Sequence, residues 1–112
     1  MSLDTVWAGS GASAVTGNFG PAGGVSATFR PAVQRGVGVS LSGTFGGATV
    51  SVEVSRDGGT SWRPMTIAAS PWGVFTGAAD EDVAEAQDAT TRYRLVASGA
   101  TGATTITYRL GH

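Results

Sequence analysis

Five of the eight acidic residues lie within nine consecutive positions and could bind a metal ion. Residues 80–88 read Asp-Glu-Asp-Val-Ala-Glu-Ala-Gln-Asp. Carboxylate oxygens suit Ca²⁺, but this spacing does not follow the EF-hand loop and no glycine occupies that loop's turn position. We expect a solvated loop or one short helical turn that can face arginines of the same or a neighbouring chain. We predict no metal and no cofactor; calcium binding by residues 80–88 is the alternative.

A second pair of carboxylates, Glu53 and Asp57, could flank a sugar in one cleft, as in glycosidases. Glu53, however, lies on the polar side of an alternating strand, and Asp57 is placed to accept backbone hydrogen bonds in its own turn. The single histidine is the last residue, His112, where fraying is expected, and the chain has no lysine and no cysteine. We predict that the protein is not an enzyme; a glycosidase fragment dependent on Glu53 is the catalytic alternative.

The three tryptophans could instead bind a partner, because indole rings stack on sugars and anchor protein interfaces. Trp62 follows a turn and is expected to cover its own hairpin. Trp72 lies in a short segment after a proline and could be a sugar-binding platform. Trp7 lies in a strip of small residues, where we expect a pocket between subunits to receive it. The predicted partner-binding residues are Trp7, Val15, Phe19 and Trp72.

Composition restricts the size of the protein and its partners. A chain of 112 residues forms one domain, and 18 glycines disfavour long helices. The net charge of −1 provides no field for nucleic acid, so we expect no nucleic-acid partner. The apolar stretches are too short to span a bilayer, and the N-terminus lacks the features of a signal peptide. We expect a soluble protein made in the cytoplasm, without a membrane partner.

The strongest local signal is a β-hairpin at residues 49–62. Valines alternate with polar residues in 49–54, which is the period of a half-buried strand. Residues 55–62 read Ser-Arg-Asp-Gly-Gly-Thr-Ser-Trp, a unit that resembles the Asp-box hairpin of sialidase-type propellers. One copy is too few for a propeller, so the resemblance implies a turn geometry and no sialidase activity. The predicted hairpin residues are Ser55, Asp57, Gly59 and Trp62.

The remaining pattern predicts further strands and an arm. Alternation recurs after residue 25, and Pro64 indicates that the strand returning from the hairpin lies at an edge. About seven short strands with glycine-rich turns are typical of an antiparallel sandwich or a small barrel. We predict a single all-β, Ig-like antiparallel β-sandwich over residues 25–112. Residues 1–24, rich in Gly, Ala and Ser, predict an extended N-terminal arm, either unattached or ordered against a neighbouring subunit.

Five short motifs occur in one order along residues 40–111: Ser42-Gly43-Thr44-Phe45, the alternating valines, the Ser55 to Trp62 unit, Tyr93-Arg94-Leu95 and Tyr108-Arg109-Leu110. In this order the chain resembles small β-sandwich proteins encoded beside the head genes of tailed bacteriophages and related gene-transfer particles. The resemblance implies a virion structural protein that decorates, cements or projects from the capsid, in the manner of decoration, cement or turret proteins, and it brings no catalytic residues.

The expected partners are therefore the major capsid protein or other virion proteins and further copies of the chain, with location in the virion. The alternatives are a tail-tube, tail-tip or fibre component, and a carbohydrate-binding β-sandwich module that uses Trp72 on a host-surface glycan.

Overall fold

The computed structural model describes residues 14–31, 36–85 and 90–112 of the chain. Within these ranges the backbone forms eleven β-strands and no helix. In chain order the strands are β1 (Ala14–Phe19), β2 (Gly24–Val25), β3 (Gly36–Thr44), β4 (Thr49–Ser55), β5 (Arg63–Pro64), β6 (Thr66–Ile67), β7 (Ser70–Pro71), β8 (Val74–Phe75), β9 (Ala79–Glu85), β10 (Arg92–Ser98) and β11 (Thr105–Gly111).

The strands form three sheets in which every pair is antiparallel. One sheet has the order β1-β11-β3-β9, a second has the order β2-β10-β4-β5 with β8 also paired to β4, and β6 pairs with β7. The all-β antiparallel class is thus confirmed. The described residues hold more strands than the seven expected, because β1 and β9 are additional strands and the segment between β4 and β9 is divided into four strands of two residues each.

Both larger sheets contribute their inward residues to one hydrophobic core. The predicted alternation places every second residue of β3, β4, β10 and β11 inside, as the two-residue period requires. Burying a side chain of valine or leucine size contributes about 1.5–3 kcal/mol, so these four strands supply most of the cohesion. Their buried core residues are Val37, Val39, Leu41, Val50, Val52, Val54, Tyr93, Leu95, Ala97, Ile106, Tyr108 and Leu110.

The chain passes from one sheet to the other at glycine turns. Gly46 and Gly47 have φ angles of 59° and 93°, and the turn closes through a bond from Ala48 N to Phe45 O of 3.0 Å. The link between β10 and β11 lies beside it, because Thr104 Oγ1 donates to Phe45 O at 2.8 Å. The predicted turn at Gly46-Gly47 therefore connects the two sheets.

The acidic segment is a strand, which corrects the expected loop or helical turn over the described part of residues 80–88. β9 pairs with β3, and a bulge in β9 lies opposite the step from Val37 to Gly38 of β3. The extra residue of this bulge is Val83, which is 6% exposed and packs in the core. Pairing with β3 overrides the weak strand preference of aspartate and glutamate. Residues 86–89 lie outside the described ranges.

The predicted arm is corrected for residues 14–24. β1 pairs with β11 over six residues, and β2 pairs with β10 in the other sheet. Phe19 is 3% exposed, and its ring stacks on Tyr108 with centroids 4.7 Å apart. The domain boundary expected at residue 24 therefore does not separate an arm from a sandwich, since 14–24 belongs to the sheets. Residues 1–13, with Trp7, lie outside the described ranges.

Candidate interaction surface

The hairpin after β4 is held by side chains that bond to its own backbone. Ser55 Oγ donates to Asp57 Oδ1 at 2.6 Å and accepts from Gly59 N at 2.9 Å. Asp57 Oδ1 also accepts from Ser61 N at 2.9 Å. Trp62 Nε1 donates to Gly59 O at 3.1 Å, so the indole lies across the turn. The structure thus brings the four predicted hairpin residues into one hydrogen-bonded unit.

The Asp57 carboxylate serves as an acceptor. Hydrogen bonds from the Ser55 and Ser61 side chains, followed by the backbone N–H of Ser61 and of Thr60, hold the pKa of Asp57 well below its usual range. A general acid at neutral pH needs a raised pKa. Asp57 is therefore suited to fixing the turn and not to donating a proton.

Glu53 is held by an arginine on the neighbouring strand. Glu53 and Arg94 face each other in the register of β4 and β10, and Arg94 Nε donates to Glu53 Oε1 at 2.8 Å. The Arg94 guanidinium also lies over the Trp62 ring, 4.3 Å from its centroid. Glu53, Arg94 and Trp62 thus form one contact series on the outer face of the sheet. Both carboxylates of the glycosidase hypothesis are engaged in contacts within the chain.

His112, which the sequence predicts to be frayed, packs against the sheet. Its ring lies edge-on to Phe29 with centroids 5.3 Å apart, and its Nδ1 lies 2.6 Å from Gly36 O. Since a carbonyl oxygen can only accept, this contact requires the proton on Nδ1. These two contacts hold the His112 ring against the sheet.

Trp72 forms one wall of a surface cavity. The residue is 42% exposed, and its Nε1 donates to Val83 O of β9 at 2.9 Å. The cavity has a volume of about 360 Å³ and is also lined by Ala79, Glu81 and Asp82 of β9. A fixed, half-exposed indole beside carboxylates can stack on an apolar face while the acids accept hydrogen bonds.

A second cavity of about 370 Å³ shares Val83 with the first. It lies between β6 and β9 and is lined by Arg56 and Arg63 as well as by apolar residues. We call the two cavities together the β9 groove. The arginines line one part of this groove, and Glu81 and Asp82 line the other. The groove thus combines apolar walls with charges of both signs.

Large apolar side chains are exposed in two places. Ile67 and Val74 are 53% and 49% exposed and lie on the same segment as Trp72, beside the β9 groove. Val25 is 54% exposed and lies on β2, the edge strand of the other large sheet. Sequence reasoning named Trp72 but missed these three residues, because an exposed valine or isoleucine in a short strand has the same local pattern as a buried one.

The other predicted anchors lie in different positions. Phe19 is in the core and Val15 is partly buried against it, so the structure brings these two residues together with Tyr108 of β11 and away from Trp72. Phe19 therefore contributes its surface to the chain's own core and is not available as an exposed anchor.

Within the described ranges, no three His, Asp or Glu side chains are placed to hold a metal ion. The same part of the chain contains no helix of the length and apolarity that a membrane span requires. Comparison with models of known protein families, with curated proteins and with solved structures found no match.

Proposed function

We propose that the protein is a structural component of a tailed-phage virion that decorates, cements or projects from the capsid. Its partners in this proposal are the major capsid protein or other virion proteins and further copies of the chain. The observation that carries the proposal is the distribution of contacts: the carboxylates of the hairpin face are bonded within the chain, whereas apolar side chains and strand edges are exposed. Such a surface suits adhesion between proteins.

The fold we propose for this role is an Ig-like sandwich. Two sheets that share one core, with links that cross between them, support this arrangement. The order of motifs along residues 40–111, from Ser42-Gly43-Thr44-Phe45 to Tyr108-Arg109-Leu110, supports the virion role by resemblance. On a symmetric shell, modest contacts repeated many times suffice for attachment.

Co-sedimentation with particles tests the proposal. The purified chain is mixed with capsids of the phage whose genome encodes it, prepared without the protein, and bound protein is measured after pelleting. We expect saturable binding, with antibody label on the head in electron micrographs. Label confined to the tail would replace this proposal with the tail-tube, tail-tip or fibre role. The absence of the protein from purified particles would reject both.

The contribution of the N-terminal residues needs a deletion that leaves β1 intact. Removal of residues 1–24 would take away β1 and the Phe19 side chain from the core, so lost binding would not distinguish attachment from unfolding. Deletion of 1–13 retains β1, and Trp7→Ala is the matched single change. If 1–13 attach the protein to the shell, both variants bind capsids less while their thermal unfolding is unchanged.

Trp72 favours a second candidate, a carbohydrate-binding module. Trp72 is half-exposed and fixed through Nε1, and it lines a cavity that Glu81 and Asp82 also line, which suits stacking on a sugar with hydrogen bonds to its hydroxyls. Glycan-array binding that is lost in Trp72→Ala and kept in Ile67→Ala would support this role. Ile67 is the control because it is exposed on the same segment and does not line the Trp72 cavity. No binding by the wild-type protein would reject it.

A further inference from the structure

Within the part of the chain that the structure describes, β1 is an edge strand whose outer hydrogen-bonding groups face no neighbouring strand. Among the described residues β1 pairs with β11 alone, over six consecutive residues without a shift in register. In an antiparallel pair, alternate residues direct their N–H and C=O groups away from the neighbouring strand. The outward half of these groups on β1 therefore forms a regular template for another strand.

Nothing in β1 blocks such pairing. Proteins usually protect sheet edges with charged side chains, proline or bulges. The sequence carries no charge from Ala14 to Phe29, and β1 contains no proline. The adjacent edge of the other sheet, β2, is equally neutral and exposes Val25. The tight turn between β1 and β2, closed by a bond from Gly23 N to Gly20 O of 2.9 Å, keeps the two edges on one side of the molecule.

We propose that β1 pairs antiparallel with β1 of a second copy, which joins two four-stranded sheets into one continuous sheet. The proposal rests on the proposed function, because it names the interface through which copies of this virion protein contact each other. A twofold β1 pair is self-complementary and closes at two subunits. A twofold antiparallel pair places the central residue opposite its own copy; centred on Thr16, it places Val15 opposite Gly17 and Ala14 opposite Asn18, with no like charges facing each other.

β9, the other edge of this sheet, is not suited to pairing with its own copy or with β1. Two copies of β9 would bring Asp80, Glu81 and Asp82 of one chain against the same residues of the other, which is unfavourable. Pairing β1 with β9 is opposed by the bulge and by Trp72 Nε1, which already bonds to Val83 O. The pairing of β1 with itself is thus the one that the charges and the geometry favour.

The size of the contact sets its strength. A pair of six-residue strands buries less than the roughly 1,200 Å² of stable complexes, so the dimer in solution is weak, with a Kd of about micromolar to millimolar. On a particle that holds many copies at fixed positions, the same contact gains from a high local concentration.

Sedimentation velocity of the full chain, from about 10 μM to about 1 mM, covers the range in which such a contact forms. We expect a concentration-dependent dimer for the wild-type protein.

Thr16→Lys places two like charges in the paired strands and should weaken dimerisation at least about tenfold, equivalent to about 1.4 kcal/mol. Ser42→Lys is the control, because Ser42 is also exposed on this sheet but lies on β3, between β11 and β9. A wild-type monomer throughout, or equal effects of the two lysines, would overturn the proposal.

Hydrogen exchange on the wild-type protein tests the same contact without a substitution. Alternate amides of β1 should exchange fast in dilute solution and become protected as the concentration rises, while the outward amides of β9 do not change. Unchanged exchange in β1 on dimer formation would also overturn the pairing.

Capsid binding separates this proposal from the proposed function. A wild-type protein that binds particles but stays monomeric rejects only the β1 pairing. A wild-type protein that dimerises through β1 and is absent from particles rejects only the virion role.

Discussion

The two lateral edges of the molecule differ in how they are protected. The β9 edge carries three consecutive acids, a bulge and a tryptophan bonded to a strand carbonyl, and the neighbouring β5 contains Pro64. The β1 edge has none of these features and keeps an unbroken register with β11. Edges protected in this way avoid pairing, and unprotected edges are either short or used in assembly. The comparison indicates that the β9 edge is protected against pairing and that the β1 edge of the described residues is not.

Gly17 is the position where the β1 edge is most sensitive to substitution. A Cβ at Gly17 would lie 2.5 Å from the Tyr108 hydroxyl and 2.8 Å from its ring carbon Cζ. We expect Gly17→Ala to displace the Tyr108 ring from Phe19 and to lower the free energy of unfolding by about 1–3 kcal/mol, the usual cost of overpacking. Denaturant unfolding measures this cost.

Gly20→Ala is the matched control, because a Cβ at Gly20 meets no atom within 4 Å. Its effect should stay within about 0.5 kcal/mol, as for ordinary surface changes. Equal midpoints for the two variants would contradict the account of Tyr108 packing over Gly17.

Trp72→Phe tests the protection of the β9 edge. The variant keeps an aromatic ring and removes the donor to Val83 O, so we expect a loss of about 0.5–1.5 kcal/mol in unfolding free energy and faster hydrogen exchange near Val83. Ile67→Ala, on the same segment without that bond, should leave exchange in β9 unchanged. Slower or unchanged exchange in Trp72→Phe would show that the indole does not secure this edge.

Neutralising the acids of β9 should make the two edges more alike. In the triple variant Asp80→Asn, Glu81→Gln and Asp82→Asn, we expect new concentration-dependent association, since like-charge contacts of about 0.2–1 kcal/mol each no longer oppose pairing. Light scattering across a concentration series measures it. Replacing the same three residues by lysine keeps the edge charged and should not cause association; if both triples associate equally, charge does not protect β9.

The smallest expected effect concerns Asp57, next to the β5 edge, and depends on pH. Because the folded-state pKa of Asp57 is depressed below the ordinary value of 3.8, its contribution to stability is present above pH 3.8 and is lost as the pH falls toward the folded-state pKa. Wild type should therefore be more stable than Asp57→Asn at neutral pH, with the difference narrowing below 3.8.

Thermal unfolding at several pH values checks this dependence. Ser61→Ala removes a side-chain donor that lowers the Asp57 pKa, so this variant should respond to acid less than wild type does. A difference between wild type and Asp57→Asn that is constant across the pH range would show that the turn does not depend on the charge of Asp57.

Four strands could be predicted from alternation alone, because β3, β4, β10 and β11 each place one face in the core. β1 could not be predicted in this way, because one of its inward positions is a glycine. Its inward positions are Val15, Gly17 and Phe19, and the glycine interrupts the apolar alternation because the Tyr108 ring from β11 fills that space. The information needed to recognise β1 therefore lies in another strand.

The candidate site was likewise predictable only in its local part. The Ser55 to Trp62 turn is local, so its residue types suffice to specify its bonds. The contacts of Trp72 with Val83 and of Arg94 with Trp62 join residues that are distant in the sequence, and nothing in either local segment indicates its partner.

The sequence by itself determined the all-β class, the alternation that creates the core and the glycine and aspartate turns, because these depend on side-chain period and backbone freedom within a few residues. Only the tertiary structure decided that the acidic segment is a strand, that Phe19 lies inside, and which edges remain open. The physical reason is that the free energy of a strand comes mainly from its neighbours across the sheet and beneath it, and those neighbours are brought together only when the whole chain folds.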